Sequence, residues 1–395
     1  MAFGAAMVRY AHGAPILGRT MGLRVLGWLV VGMMGLALPL GALAVGPLPV
    51  DIFTTLPPGA RSEPLPLDGL EVEYTVDPEL DAAIARILER GRVLLGHVVL
   101  LDPRDGRVLA YVSTDPTTFP ATGIYPTASL MKVVTAAAVL EKDREATQRG
   151  CRYVGSPYVV REINLSPPRV GGRVESFWRS LAISNNQCFA RLAIDPVGRE
   201  DLLAQMKRVG IPDAPAPGHS AGRIQPVETP LELGHLGSGL AGSFISPLAA
   251  ARLASLLAEG QLVYPWWVER VTNGNGETVA LPRPRPPRPT WKPELADELR
   301  ELLVGVTARG TAKSAFRDPR GRPLLGSMLV AGKTGSLSGT DPKGRYEWFI
   351  GVAPADAPRV AIATVVVQSP IWWSSASQIS ARVLQHVFCN RGRCE

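Results

Sequence analysis

Pro126-Thr127-Ala128-Ser129-Leu130-Met131-Lys132-Val133-Val134-Thr135-Ala136-Ala137-Ala138-Val139-Leu140-Glu141 is the stretch from which the rest of the chain is read. Proline gives way to an apolar helix-forming run, which predicts a helix with Ser129 in its first turn. Residues three apart share a helix face, so the Lys132 amine falls beside the Ser129 hydroxyl. Unpaired N–H groups and the positive end of the helix dipole favour negative charge there, including an oxyanion formed when a serine attacks a carbonyl. An ammonium among Leu130, Met131, Val133 and the alanines is poorly solvated, and a cationic neighbour lowers its pKa further. A lysine so placed is a candidate general base. Taken alone, the string also fits a surface serine and lysine on an ordinary amphipathic helix.

Two further strings lie downstream. Ser184-Asn185-Asn186 interrupts an apolar segment from Ser180 to Ala193 and reads as a short loop or helix start that offers a hydroxyl and an amide to a cleft. Ser184 is a candidate proton relay and Asn186 a candidate partner for a substrate carbonyl; an isolated Ser-Asn pair also reads as a helix N-cap. Lys333-Thr334-Gly335-Ser336 precedes two β-rich runs, Tyr346 to Val352 and Arg359 to Gln368, which predict consecutive antiparallel strands. Gly332 and Gly335 are expected to clear space for a substrate backbone, Lys333 and Thr334 to hold a carboxylate, and the Ser336 N–H to join that of Ser129 in an oxyanion hole.

S-x-x-K, S-x-N and K-T-G in this order resemble the signature of penicillin-binding proteins and class A β-lactamases. The likeness extends to Tyr74-Thr75-Val76-Asp77-Pro78-Glu79-Leu80, to the run Gly96 to Ala110 with its Asp105-Gly106 turn, to Gly305 to Lys313, and to Trp348 to Pro354. It covers roughly residues 70 to 390 and is weakest in the middle third. Locally, Asp77 reads as an N-cap, Pro78 as N1, and Leu80, Ile84, Ile87 and Leu88 as one apolar stripe. The resemblance implies an α/β (α+β) fold, a five-stranded antiparallel sheet flanked by helices with an inserted all-helical lobe, and the serine at the lobe interface. It implies Ser129, Lys132, Ser184 and Lys333 as catalytic residues and Asn186, Thr334, Gly335 and Ser336 as substrate-binding residues, with no metal or cofactor. The implied activity is serine D,D-transpeptidation or carboxypeptidation of D-Ala-D-Ala stem peptides of peptidoglycan, with β-lactams trapping the acyl-enzyme.

Other chemistries fit less well. A P-loop would need glycine at position 327, which is Ser327, and a helix rather than strands downstream. The five histidines are scattered, no G-x-S-x-G occurs, and no Cys/His cluster has metal-ligand spacing. A serine β-lactamase of the class A pattern carries E-x-x-L-N after its second motif; Asp195 to Leu203 lacks it, and Glu162-Ile163-Asn164-Leu165 lies before Ser184. Class D enzymes usually have S-x-V where this chain has Ser184-Asn185-Asn186. A non-catalytic penicillin-binding sensor remains a third reading.

Residues 1–44 hold three arginines, no acid, an uncharged apolar run from Val25 and an Ala42-Leu43-Ala44 pattern, which fits either a cleaved signal peptide or a membrane anchor. Residues 45–70 read as a proline-rich linker and 71–395 as the catalytic domain. Export to the periplasm or cell envelope follows. The formal net charge is +7, a modest excess with no nucleic-acid motif beside it. Protein partners are not legible. Leu281 to Pro289 reads as an extended, solvated excursion. Four cysteines fit an oxidising compartment and allow three connectivities; Cys151–Cys188 with Cys389–Cys394 is the preferred pairing, with a free buried Cys188 as the alternative. Trp372 and Trp373 are expected in the core.

Overall fold

The computed structural model describes residue 53, residues 65–67, 69–368, 371, 373–390 and 393–394. The chain divides into two units, residues 1–46 and 47–395. The leader, and with it the apolar run from Val25, lies outside the described residues. No described helix is long and apolar enough to cross a membrane.

The elements that frame the site are α1 (Pro78–Arg90), β1 (Leu95–Leu101), β2 (Val108–Ser113), α2 (Met131–Lys142), α3 (Phe177–Ala182), α4 (Asn186–Leu192), α5 (Arg199–Arg208), α6 (Pro230–Ser238), α7 (Pro247–Glu259), α8 (Pro293–Arg309), β3 (Ala331–Thr340), β4 (Lys343–Ala353), β5 (Val360–Gln368) and α9 (Ala376–Phe388). The strands form one antiparallel sheet in the order β3-β4-β5-β1-β2. Every residue of β5 is buried, as a central strand covered on both faces must be. Helices α1 and α9 pack together against β2, β4 and β5, while α7 packs on β1, β4 and β5. Helix α7 is apolar almost all round, and only Glu259 along it escapes burial. The sheet and flanking helices anticipated from the sequence are therefore present, and the helix-rich lobe is inserted between β2 and β3.

Three details depart from the sequence reading. The lobe also carries short ribbons: Cys151–Tyr153 pairs with Arg173–Glu175, and Tyr125–Pro126 and Arg223–Ile224 both pair with Ser243–Ile245. The linker read over 45–70 ends early, because Leu65–Leu67 is already the edge strand of a small sheet with Leu70–Tyr74 and Val268–Asn273. Edge strands tolerate proline, so Pro66 did not preclude it. Trp373 is 47% exposed, with the Arg92 guanidinium 4.3 Å above its ring, rather than in the core; Trp372 lies outside the described residues. The excursion through Pro289 is pinned as well as extended: Arg285 stacks 3.7 Å over Tyr264, and Arg288 donates to the Arg208 carbonyl.

Helix α1 starts as its sequence predicts. The Asp77 carboxylate accepts from the Glu79 and Leu80 amides, at 2.9 and 3.1 Å, and Pro78 follows at the first helical position. Two substitutions separate a local from a core contribution. Asp77→Ala should lower unfolding free energy by about 1 kcal/mol in urea titrations. Leu256→Ala, which empties a fully buried position of α7, should cost about 2–5 kcal/mol.

Candidate active site

Helix α2 is the axis of the lobe, and every residue from Met131 to Leu140 is buried. Ser129 sits just before it in a single 3₁₀ turn, Ala128–Leu130, which matches the first-turn position expected. That turn is held from two sides. The Trp348 indole of β4 donates to the Pro126 carbonyl at 2.9 Å. Gly239, left-handed at φ 77°, closes α6 against it; a Cβ there would meet the Ala128 carbonyl oxygen at 1.9 Å. Ala128 itself is left-handed at φ 52°, and Ser184 at φ 59°. Such non-glycine geometry costs on the order of 1–3 kcal/mol and persists only where surrounding structure enforces it. Ala128 adjoins the candidate Ser129, and Ser184 is itself a candidate group.

The three motifs converge. Lys132 Nζ lies 2.8 Å from Ser129 Oγ, 2.6 Å from Asn186 Oδ1 and 2.6 Å from the Ser238 carbonyl oxygen. Lys333 Nζ, on the edge strand β3, donates to Ser184 Oγ at 3.0 Å and to the Thr334 carbonyl at 2.8 Å. Both lysines are fully buried, whereas Ser129 is only partly covered. Burial pushes the Lys132 amine well below its ordinary range, and the Lys333 charge pushes it further. Burial also lowers Lys333, to about 7. A neutral Lys132 matches its surroundings: two N–H groups serve Asn186 and Ser238, and the lone pair is left for the Ser129 proton.

Asn186 is oriented by its other end. Its Nδ2 donates to the Tyr158 carbonyl at 2.8 Å, which turns Oδ1 toward Lys132. The neighbouring backbone is gripped repeatedly: the Asn186 amide donates to the Pro157 carbonyl, Gln187 Nε2 reaches the Val154 and Ser156 carbonyls, and Arg191 reaches that of Arg152. The disulfide Cys151–Cys188 ties this excursion to α4, and Cys389–Cys394 is also formed, so the preferred pairing holds. Asn185 fills the N-cap role, with Oδ1 accepting from the Cys188 amide at 3.1 Å.

The glycines differ from expectation. A Cβ on Gly332 would lie 2.4 Å from the Phe349 ring, so that glycine serves packing onto β4 rather than access for a substrate. A Cβ on Gly335 would lie 3.2 Å from Ala128 Cβ and 3.3 Å from the Ser129 amide nitrogen, so Gly335 lets β3 approach the turn that carries Ser129. Ser336 comes next on the strand, half-buried, with Oγ enclosed and without a hydrogen-bond partner. Thr334 faces the Thr311 hydroxyl, 2.6 Å away, and the Thr311 amide donates to the Ala182 carbonyl beside Ser184. Thr311, Ser238 and Tyr158 were not singled out in the sequence. Ser238 and Tyr158 act through carbonyls that any residue supplies; Thr311 lies in Gly305–Lys313, whose resemblance was the one available signal.

Residues 96–388 match the penicillin binding protein transpeptidase domain. The chain belongs to that family. It is 25% identical over 341 residues to the peptidoglycan D,D-transpeptidase PbpA of Mycolicibacterium smegmatis, covering 75% of this chain and 67% of that protein. It is 26% identical to the stage V sporulation protein D of Bacillus subtilis, covering 77% of this chain and 50% of that one. Among solved structures, PBPA from Mycobacterium tuberculosis superposes with a TM-score of 0.66 at 24% identity, over 81% of this chain and 82% of that one. The same protein as an imipenem acyl-enzyme complex gives 0.66 at 23%, over 80% and 79%.

If the disulfide-anchored excursion holds the Asn186 amide in place, opening Cys151–Cys188 should slow serine acylation by roughly ten- to a hundredfold, as small misplacements in a reacting group do. Stopped-flow acylation of the Cys151→Ser/Cys188→Ser variant measures this. An unchanged rate would show that α4 orients Asn186 without the excursion.

Proposed function

We propose that this chain is an exported serine D,D-transpeptidase or D,D-carboxypeptidase acting on peptidoglycan stem peptides, and that it binds penicillin covalently. The observation that carries the reading is the 2.8 Å contact between a buried Lys132 amine and Ser129 Oγ. Lys132 takes the Ser129 proton as Oγ attacks the carbonyl before the terminal D-Ala. The oxyanion is held by the amides of Ser129 and Ser336. Ser184, in contact with Lys333, relays the proton taken up by Lys132 to the departing amine and so keeps its own hydroxyl. A neighbouring stem's amine, or water, then takes the acyl group and frees Ser129. Because Lys333 is fully buried, the terminal carboxylate rests on the Thr334 hydroxyl, and Lys333 contributes its charge from behind. The leader delivers residues 71–395 outside the cytoplasm, as signal peptide or anchor.

Against the β-lactamase alternative, no carboxylate hydrogen-bonds to Ser129, Lys132, Ser184, Asn186 or Lys333 among the described residues. The glutamate base that class A β-lactamases use to activate water therefore has no counterpart in contact with these groups among the described residues. Slow release of a β-lactam adduct is the expected consequence.

Fluorescent penicillin should give a covalent adduct on Ser129 that persists for many minutes. Rapid drug hydrolysis with loss of label would favour the lactamase. Lys132→Ala should slow acylation by about 10²- to 10⁴-fold, the usual weight of a general base; unimpaired acylation would remove that role. The acylation rate should rise with pH and level off well before the 10.5 of a solvated lysine, because Lys132 is active when deprotonated and its pKa is lowered. Mass analysis of D-Ala-D-Ala peptides incubated with and without an acceptor amine separates transfer from hydrolysis.

A further inference from the structure

The described cavities include one of about 650 Å³ between the C-terminal end of α1, one face of α9 and the loop at Ser314–Arg317. Among the described residues its charged lining is all of one sign: Arg90, Arg317 and Arg382 face it with His386, and no described carboxylate does. None of the three arginines takes part in an ion pair among the described residues. Two carboxylates adjoin these arginines in sequence: Asp318 is occupied by Arg322, and Glu89, exposed beside Arg90, is not part of the lining.

Two of the arginines are held in place by neutral groups. Arg382 donates to Gln385 Oε1 at 2.9 Å, and Gln385 in turn donates to the Leu324 carbonyl. Arg317 donates to the Gly321 carbonyl at 2.6 Å, and its Nε is enclosed without a partner. Like charges gathered around one hollow repel each other, and an anion entering it relieves that repulsion while meeting forks already positioned. Guanidinium groups bind phosphoryl oxygens in pairs, and the cavity adds the Ser314 hydroxyl and the Gln378 side-chain amide as further donors. The volume falls within the range of about 300–1,000 Å³ usual for small-molecule sites, which leaves room for more than a single phosphate.

We propose that this cavity is a binding site for a phosphoryl-bearing ligand, a pyrophosphate or phosphate ester, either free or as a lipid headgroup. The inference does not depend on the acyl-transfer reading, because none of these residues touches the candidate catalytic groups. Sodium pyrophosphate titrated into the full-length protein by calorimetry should bind, with affinity falling as salt rises. Arg90→Gln/Arg382→Gln should weaken that binding at least about tenfold, while the thermal unfolding midpoint and the far-ultraviolet circular dichroism, which report an intact fold, stay as in the parent. Arg382→Lys, which keeps charge but loses the fork, should fall between. Vesicles of phosphatidylglycerol, compared with phosphatidylcholine, separate the sources: capture that the double variant loses assigns a lipid headgroup, and pyrophosphate binding without such a difference assigns a soluble ligand. Pyrophosphate affinity equal in parent and double variant, or no binding at millimolar concentration, would overturn the proposal.

Discussion

A lysine amine buried without a carboxylate partner is the constraint around which this fold is arranged. An ammonium loses far more in leaving water than a neutral amine does, so the interior around α2 holds Lys132 toward its neutral form. Burying it demanded a helix with no solvent face, and Met131–Leu140 is that helix. It also demanded acceptors for the remaining N–H groups. Those come from α4, through Asn186, and from the end of α6, through Ser238.

The second buried lysine acts on the first. Lys333 enters from β3, and its charge opposes protonation of Lys132. The sheet brings it there: β3 is an edge strand, its Gly335 passes against the turn that carries Ser129, and Trp348 on β4 bonds to Pro126 across the same seam. Strain at Ala128 and Ser184 lies on two of the lobe segments that meet β3. The sheet and the lobe thus fix a small set of polar groups that an open helix surface would leave solvated.

Much of this was legible in the residues. Ser129 with Lys132 three positions later specified a shared helix face, and the β-rich runs of β4 and β5 specified buried strands next to K-T-G. Asp77-Pro78 marked the start of α1 to the residue. Contacts made by main-chain carbonyls were not legible, since Ser238 and Tyr158 contribute an atom common to all residues. The role of Gly332 was misread because a glycine required by a neighbour's ring and one required by a ligand look alike in sequence. The edge strand at Leu65–Leu67 was hidden by prolines, which an edge tolerates. The all-positive cavity draws its arginines from three separated segments, so no local pattern announced it.

The most direct test is the protonation of Lys132 itself. The chain has seven lysines, few enough for their Cε resonances to be followed by NMR after selective ¹³C labelling and assigned by single substitutions. The Lys132 signal should titrate far below 10.5, the value of a solvated lysine, and should move up when Lys333 is replaced by methionine. A Lys132 midpoint near 10.5, unmoved by that replacement, would contradict the account.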